Sequence, residues 1–418
     1  MSRLPVVALF ILLSLPALDA RSEDLARGDL PPADQVEAAL HAHLDVRIAE
    51  SNLLAESASR KRWESGSYEF NVKAGSAQRE NSVTGQRQKE WDVAIERPLR
   101  LPNKMLLDGD IGSESVHHAE YALGDARHEV ARSLLHLWFN WMRERTQADL
   151  WQQQVSLLLQ QVQLTEKRMR AGDAPKLELN QVQAFAAQAG VSLQQAQLSA
   201  QLAGSELARP FPELTLPAAP VMETPVAIDQ ALAYWEKRVM DDNHELAMVE
   251  AENRVQQLLA QRQRADRVPD PTVGLRYSSE KDGEEKVAGV YLSVPISFGV
   301  RGASAEVATQ HAAATAAKVE ATRRRLQGDV YAAYIKARDH FGVWQQAEAA
   351  KVSVQLNADL LARAYALGES SMTDLLNARR LALESALAAS LAKLDANEAR
   401  YRLLLDAHQL WVAPDHRD

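Results

Sequence analysis

Residues 67–98 read SYEFNVKAGSAQRENSVTGQRQKEWDVAIERP, and the period of this stretch decides the fold. Tyr68, Phe70, Val72 and Ala74 alternate with Glu69, Asn71 and Lys73, which is the two-residue period of a strand with one oily and one wet face. A second run sets Trp91, Val93 and Ile95 against Glu90, Asp92 and Glu96 and stops at Pro98, with a polar segment rich in Gly, Ser, Asn and Gln between the two runs. The pair reads as a hairpin. Residues 272–295, TVGLRYSSEKDGEEKVAGVYLSVP, repeat the pattern: Val273, Leu275 and Tyr277 alternate against Gly274, Arg276 and Ser278. Lys281–Glu285 makes the turn, and a strand with Ala288, Val290, Leu292 and Val294 ends at Pro295.

On either side of each hairpin the period changes to that of a helix. Apolar spacing predicts a helix from Pro32 to about Glu64, a long rod from 103 to Arg170, a break at Gly172-Asp-Ala-Pro175, and a return helix to Leu207. A rod of roughly 65 residues is about 100 Å long, too long for the core of a small globule. After the Pro-rich stretch 216–226 the order recurs. A helix spans about 228–264, a hairpin 272–295, a rod about 303–367, a break falls at Gly368, and a return helix spans about 372–411. Pro98 corresponds to Pro295 at a shift of 197 residues and Gly172 to Gly368 at 196, so the chain reads as an internal duplication. The domain reading is therefore a first repeat over 21–215 (hairpin 67–98, helical hairpin 103–207) and a linker over 216–226. A second repeat covers 227–412 (hairpin 272–295, helical hairpin 303–411), and 413–418 form a tail. Pro98 and Pro295 mark the passage from strand to helix.

The formal charge of -9 and the lack of a basic stripe exclude a nucleic-acid binder. Without cysteine there is no disulfide, thiolate metal site or acylated anchor. Residues 1–20, with Arg3, an apolar run from Leu4 to Leu18 and Ala20 before the polar Arg21-Ser-Glu-Asp24, have the form of a secretory signal peptide. No later stretch reaches the roughly 18 apolar residues of a membrane-spanning helix. If the chain enters a membrane, it does so as strands.

Four strands cannot close a barrel, and open edges are not tolerated in a bilayer, so the subunit must associate. Three copies supply twelve strands, within the range of outer-membrane barrels. In such a barrel Tyr68, Phe70 and Val72 face lipid, and Glu69, Asn71, Lys73, Glu90, Asp92 and Arg276 face a wet lumen. A soluble sheet packed on one face is the competing reading of the same alternation. Apolar residues such as Val130, Leu134, Leu137 and Trp138 recur at helical spacing along the rods, as a wall of helices side by side requires. The expected fold is mainly α, with long antiparallel helical hairpins and a membrane β portion.

This order of elements, with the tip sequences Arg168-Met-Arg-Ala-Gly172 and Arg363-Ala-Tyr-Ala-Leu-Gly-Glu369, resembles the TolC family of outer-membrane efflux proteins over nearly the whole chain beyond residue 20. The resemblance implies a homotrimer in the bacterial outer membrane: a twelve-stranded barrel continued by a periplasmic helical tunnel, which docks on an adaptor (membrane fusion) protein joined to an inner-membrane, proton-driven pump. It implies an efflux channel with no cofactor and no enzymatic activity. The compact length and short hairpin loops look most similar to the heavy-metal, CzcC-like branch, with organic compounds as the alternative cargo. By position, the adaptor-contact tips are Arg170, Gly172, Asp173, Leu367, Gly368 and Glu369. Glu178 and Asp374 are the candidate aperture acids; they also stand at helix N-termini, where negative charge is favourable in any case.

The 11 histidines invite a metal reading, but His41 with His43 and His117 with His118 lie too close in sequence to chelate from a helix. His128 and His136, two turns apart, could share a face but lack a carboxylate and histidine set with zinc spacing. A periplasmic adaptor would have one helical hairpin between β domains, whereas here there are two. A coiled-coil scaffold without a pore would not need paired strand hairpins.

Overall fold

The computed structural model describes residues 28–411; the expected signal peptide and the tail after 412 lie outside them. Among the described residues the order is α1 (Ala33–Ala42), α2 (Leu44–Ser65), β1 (Asn71–Glu80), β2 (Arg87–Pro98), α3 (Pro102–Arg170) and α4 (Lys176–Ala208). Then follow α5 (Leu232–Asp241), α6 (His244–Ala265), β3 (Thr272–Glu280), β4 (Glu285–Ser293), α7 (Val300–Ala366) and α8 (Met372–Asp406). The two halves match element by element: α1 and α5 have 10 residues each and α2 and α6 22 each, while α3 and α7 have 69 and 67, and α4 and α8 33 and 35.

The helices expected to be continuous over 32–64 and 228–264 are each broken once, ten residues in. At the first break His43 turns to extended backbone and its ring accepts the Asp45 N–H. At the second, the Asn243 side chain accepts the Leu246 N–H at 2.8 Å. A side-chain acceptor that satisfies a free N–H makes a new helix start cheaper than continuing the old one. The last helix ends at Asp406 rather than 411, and the second rod starts at Val300, behind Gly299 at φ 82°.

The four strands form one antiparallel sheet in the order β1-β2-β3-β4, so the two hairpins pair with each other through β2 and β3. β1 starts at Asn71 rather than Ser67 and runs to Glu80. Tyr68 lies outside the strand, and its hydroxyl donates to Asp270 at 3.0 Å while the Arg100 guanidinium stacks over its ring. Tyr68 is thus bound to the base of the sheet and does not continue the oily face; Glu69 also precedes the strand. Pro98 closes β2, but Pro295 follows the end of β4 by two residues and α7 begins only at Val300.

The main core lies partway along the rods, where α1 and the ends of α4 and α8 gather on α3, and α5 on α7, around buried Leu134, Trp138, Phe139, Leu207, Phe211 and Leu403. The Asp29 carboxylate is sealed in this core, accepting from Asn397 and from the Tyr401 hydroxyl, both at 2.8 Å. A second core joins the far ends of the rods through Leu158, Val182, Tyr365, Met372 and Leu375. The stripe Val130, Leu134 and Trp138 is buried, with Leu137 half-buried.

Candidate functional site

The sheet is amphipathic across all four strands, because strand register places residues directly opposite one another on the same face. One face carries the rows Val72-Ile95-Leu275-Val290 and Ala74-Val93-Tyr277-Ala288. These side chains are not covered: Val72 is 70% exposed, Leu275 56% and Val290 73%. The other face gathers Asn71, Lys73, Glu90, Asp92 and Arg276, so five of the six residues expected to line a lumen do share one face.

That polar face is ion-paired. Lys73 lies 2.6 Å from Glu96, which also accepts the Tyr291 hydroxyl at 2.6 Å from two strands away. The Tyr291 ring reaches Glu96 by lying over Gly274, where a Cβ would come within 2.3 Å of it. Arg79 bridges Glu90 at 2.7 Å and Glu280 at 3.2 Å, and Arg276 approaches Asp92 at 3.6 Å. Among the described residues the outer edges of β1 and β4 pair with no further strand.

Where the sheet meets the rods there is a buried ionic knot that the sequence reading missed. The Lys104 side chain is fully buried, with its ammonium 3.0 Å from both Asp266 and Asp270 and donating to the Val268 carbonyl at 2.8 Å. Arg100 and Arg262 both bind Asp108, at 3.0 and 2.6 Å. The start of α3 is thereby tied to the end of α6, one half of the chain to the other. The available signal was charge inside an otherwise apolar spacing at 104 and 108, together with Pro269-Asp-Pro271.

At the opposite end, about 100 Å away along α3, the two helix turns have the same construction. Gly172 and Gly368 take φ of 85° and 81°, and the Asp173 and Glu369 N–H groups each bond back to a carbonyl five residues earlier, Arg168 and Ala364, at 2.8 Å. This is the Schellman ending that glycine favours. Arg170, Gly172, Asp173, Leu367, Gly368 and Glu369 are all exposed. Glu178 accepts the Tyr365 hydroxyl at 2.9 Å, and Tyr365 in turn accepts from Arg168 at 2.6 Å. Burial and the Glu178 carboxylate raise the Tyr365 pKa. Asp374 is engaged in its own helix start: it forms a capping box with Ser371, at 2.7 Å to the hydroxyl.

Among the described residues no group of three or more potential ligands has metal-binding geometry, and no helix is long and apolar enough to cross a membrane. His136 pairs with Glu398 at 3.1 Å and does not join His128. A groove of about 780 Å³ between α3, α7 and α8 is lined by Arg132, Arg143, Asp395, Glu398 and Arg402. These charges already satisfy one another, through Arg143 to Asp395 and Glu398 and through Arg132 and Arg402 to Asp406.

No protein-family model and no curated protein matches the chain. Solved structures do match. The Campylobacter jejuni CmeC outer membrane channel superposes with a TM-score of 0.75 at 15% identity, over 92% of this chain and 86% of that one. The outer membrane protein VceC of Vibrio cholerae gives 0.72 at 14% identity, over 92% and 99%. The open state of the Neisseria gonorrhoeae MtrE outer membrane channel gives 0.72 at 15%, over 92% and 90%. At such identities the likeness is one of fold, and the fold of this chain is that of these outer membrane channels.

Proposed function

We propose that this chain is the outer-membrane channel of a tripartite efflux system and not an enzyme. Three copies close a twelve-stranded barrel in outer-membrane lipid, and their helices continue it as a periplasmic tunnel. The observation that carries this reading is the sheet, with an uncovered apolar face, an ion-paired polar face and two open edges, at the end of rods about 100 Å long. An isolated sheet of that kind leaves both its oily face and its edges unsatisfied, and a closed barrel in lipid satisfies both. The structural neighbours named as outer membrane channels support the same assignment.

In this reading Asn71, Lys73, Glu90, Asp92 and Arg276 line the barrel lumen. The exposed tips at Arg170–Asp173 and Leu367–Glu369 contact the adaptor protein, itself joined to a proton-driven inner-membrane pump. Glu178 and Asp374 stand just inside the aperture. Heavy-metal cations are the proposed cargo, favoured by the compact chain and short hairpin loops; organic compounds are the alternative.

Two experiments separate the layers of this proposal. The purified chain in a planar bilayer should give discrete conductance steps, and a protein that never conducts would remove the channel itself. Cells lacking the gene, with and without a plasmid copy, should be compared on zinc, cobalt, cadmium, nickel, copper and silver salts and on dyes, detergents and antibiotics. Sensitivity to the metals alone supports cation efflux. Sensitivity to the organic compounds alone keeps the channel and removes the metal assignment.

A further inference from the structure

Three imidazoles from distant parts of the chain meet inside the middle of the molecule. His128 comes from α3, His244 from the first residue of α6, and His408 from just beyond α8. The rings of His128 and His408 stack with centroids 5.0 Å apart and 15° between planes, and His244 meets His408 edge-on at 5.1 Å. The contact is built into the backbone. The His244 ring fills the hollow over Gly124, where a Cβ would stand 2.6 Å from its Nδ1. His408 holds φ of 56°, a left-handed position at a helix end that ordinarily favours glycine. His128 and His408 are 5% and 6% exposed, and both ring nitrogens of His408 are buried without a hydrogen-bond partner.

The surroundings of His128 and His408 favour neutral rings. On α3 and α8 the closest charges are Arg132, Arg402 and Asp406, and Asp406 is already shared by both arginines, at 2.8 and 3.0 Å. Its nearer oxygen is 3.9 Å from His128 Nε2. From the α5–α6 break come Arg238 and Asp242, which pair with each other at 3.6 Å. α7 contributes Arg325, bound to Glu245 and Asp329. Asp125 and Glu129 lie near His128 on its own helix, and Glu129 is bound to Arg132. The carbonyl end of α8 would favour a cation, but its Leu405 carbonyl is taken by His128 Nε2 at 3.2 Å. A proton on His128 or His408 therefore puts a cation among arginines and like rings, with Asp406, Glu129 and Asp242 already paired and the Asp125 carboxyl pushed up to about 6. Burial, and next the Arg132 guanidinium, push the His128 pKa down to about 2, and burial lowers that of His408.

We infer that His128, His244 and His408 form an acid-released lock that joins the two repeats at mid-rod. Neutral His128 and His408 pack α3 and the end of α8 against His244 at the start of α6, and protonation of these two buried rings forces the elements apart. The inference is independent of the pore reading, since its test reads backbone protection rather than transport.

The test is hydrogen exchange of the full purified chain at pH 7.5 and 5.5, expressed as protection factors. An ordinary imidazole with pKa 6.5 changes its protonation weight about tenfold between these values. Protection over 400–406 and 244–250 should therefore fall by up to about tenfold for each ring that stays neutral in the closed state, up to about a hundredfold for two, less the few-fold that Asp125 offsets by taking up its proton in the closed state over the same range. The helix turn at 367–376 serves as the internal control and should not change. His408→Gln alone should reduce the drop to about tenfold, and His128→Gln with His408→Gln should remove most of it. If the double variant does not fold, the wild-type segments and the single variant still decide. Equal protection at both pH values in the wild type, or an undiminished drop in His408→Gln, would overturn the lock.

Discussion

Asp125 lies on α3, partly buried, and burial together with Glu129 and Glu245 pushes its carboxyl up to about 6. Its sign is opposite to that of the neighbouring histidines. A carboxyl raised above its unfolded value takes up a proton more readily in the folded chain, so its ionisation penalises folding at neutral pH, and the penalty fades as pH falls from 6 towards 4. Asp125→Asn should raise the melting temperature at pH 7.5, and the gain should vanish near pH 4. Thermal melts of both proteins across this range check it; a gain independent of pH would show that the asparagine acts through packing. The buried histidines act the other way, since a ring with lowered pKa contributes full stability above 6.5 and loses it as pH falls below. Neither effect was legible in the sequence, where Asp125 and His244 are ordinary polar residues of helices 119 positions apart.

At the scale of elements, the knot around Lys104 holds the sheet against the rods. Lys104→Ala leaves the Asp266 and Asp270 carboxylates without their shared cation, at a cost of about 3–5 kcal/mol by the usual experience of breaking a buried pair. The expected readout is a lower midpoint in chemical unfolding followed by helical circular dichroism. An unchanged midpoint would mean that Arg262 and Tyr68 suffice. The sheet itself makes a sharper prediction, because adjacent residues face opposite sides. Leu275→Arg places a charge on the apolar face between Ile95 and Val290, which costs about 2–4 kcal/mol at the middle of a bilayer. Arg276→Gln, one residue on, alters only the polar face. The folded, heat-modifiable form recovered from outer membranes should fall sharply for Leu275→Arg and persist for Arg276→Gln. Equal recovery would place the oily face somewhere other than lipid.

For the whole molecule the open question is what meets β1 and β4. Two further strands separate them within one subunit, about 14 Å at ordinary strand spacing, so a disulfide between them cannot form inside a chain. The chain has no cysteine of its own, so introduced pairs report cleanly. Ser76→Cys on β1 should be combined in turn with cysteine at Lys286, Ala288, Val290 or Leu292 on β4, all on the same face. Under oxidation at least one combination should give covalent trimers, which migrate as rings of three on denaturing gels. Monomers in every combination would refute closure through these edges.

The sequence alone determined the order of the elements, the duplication, the two sheet faces and the glycine turns. These are local properties: a two-residue or 3.6-residue period, a glycine in the left-handed region, and a proline where a ladder stops are all properties of neighbouring residues. The same reasoning erred at His43 and Asn243, because a side-chain acceptor inside a helical period is weak next to the pattern around it. It also erred at Tyr68, because alternation continues in sequence after the hydroxyl has found Asp270, 202 residues away. What only the tertiary structure decided are the long-range meetings: Lys104 with Asp266 and Asp270, Tyr365 with Arg168 and Glu178, and the three imidazoles His128, His244 and His408. Each depends on where two helices cross, and crossing is set by packing along the whole length of the rods, which no window of sequence contains.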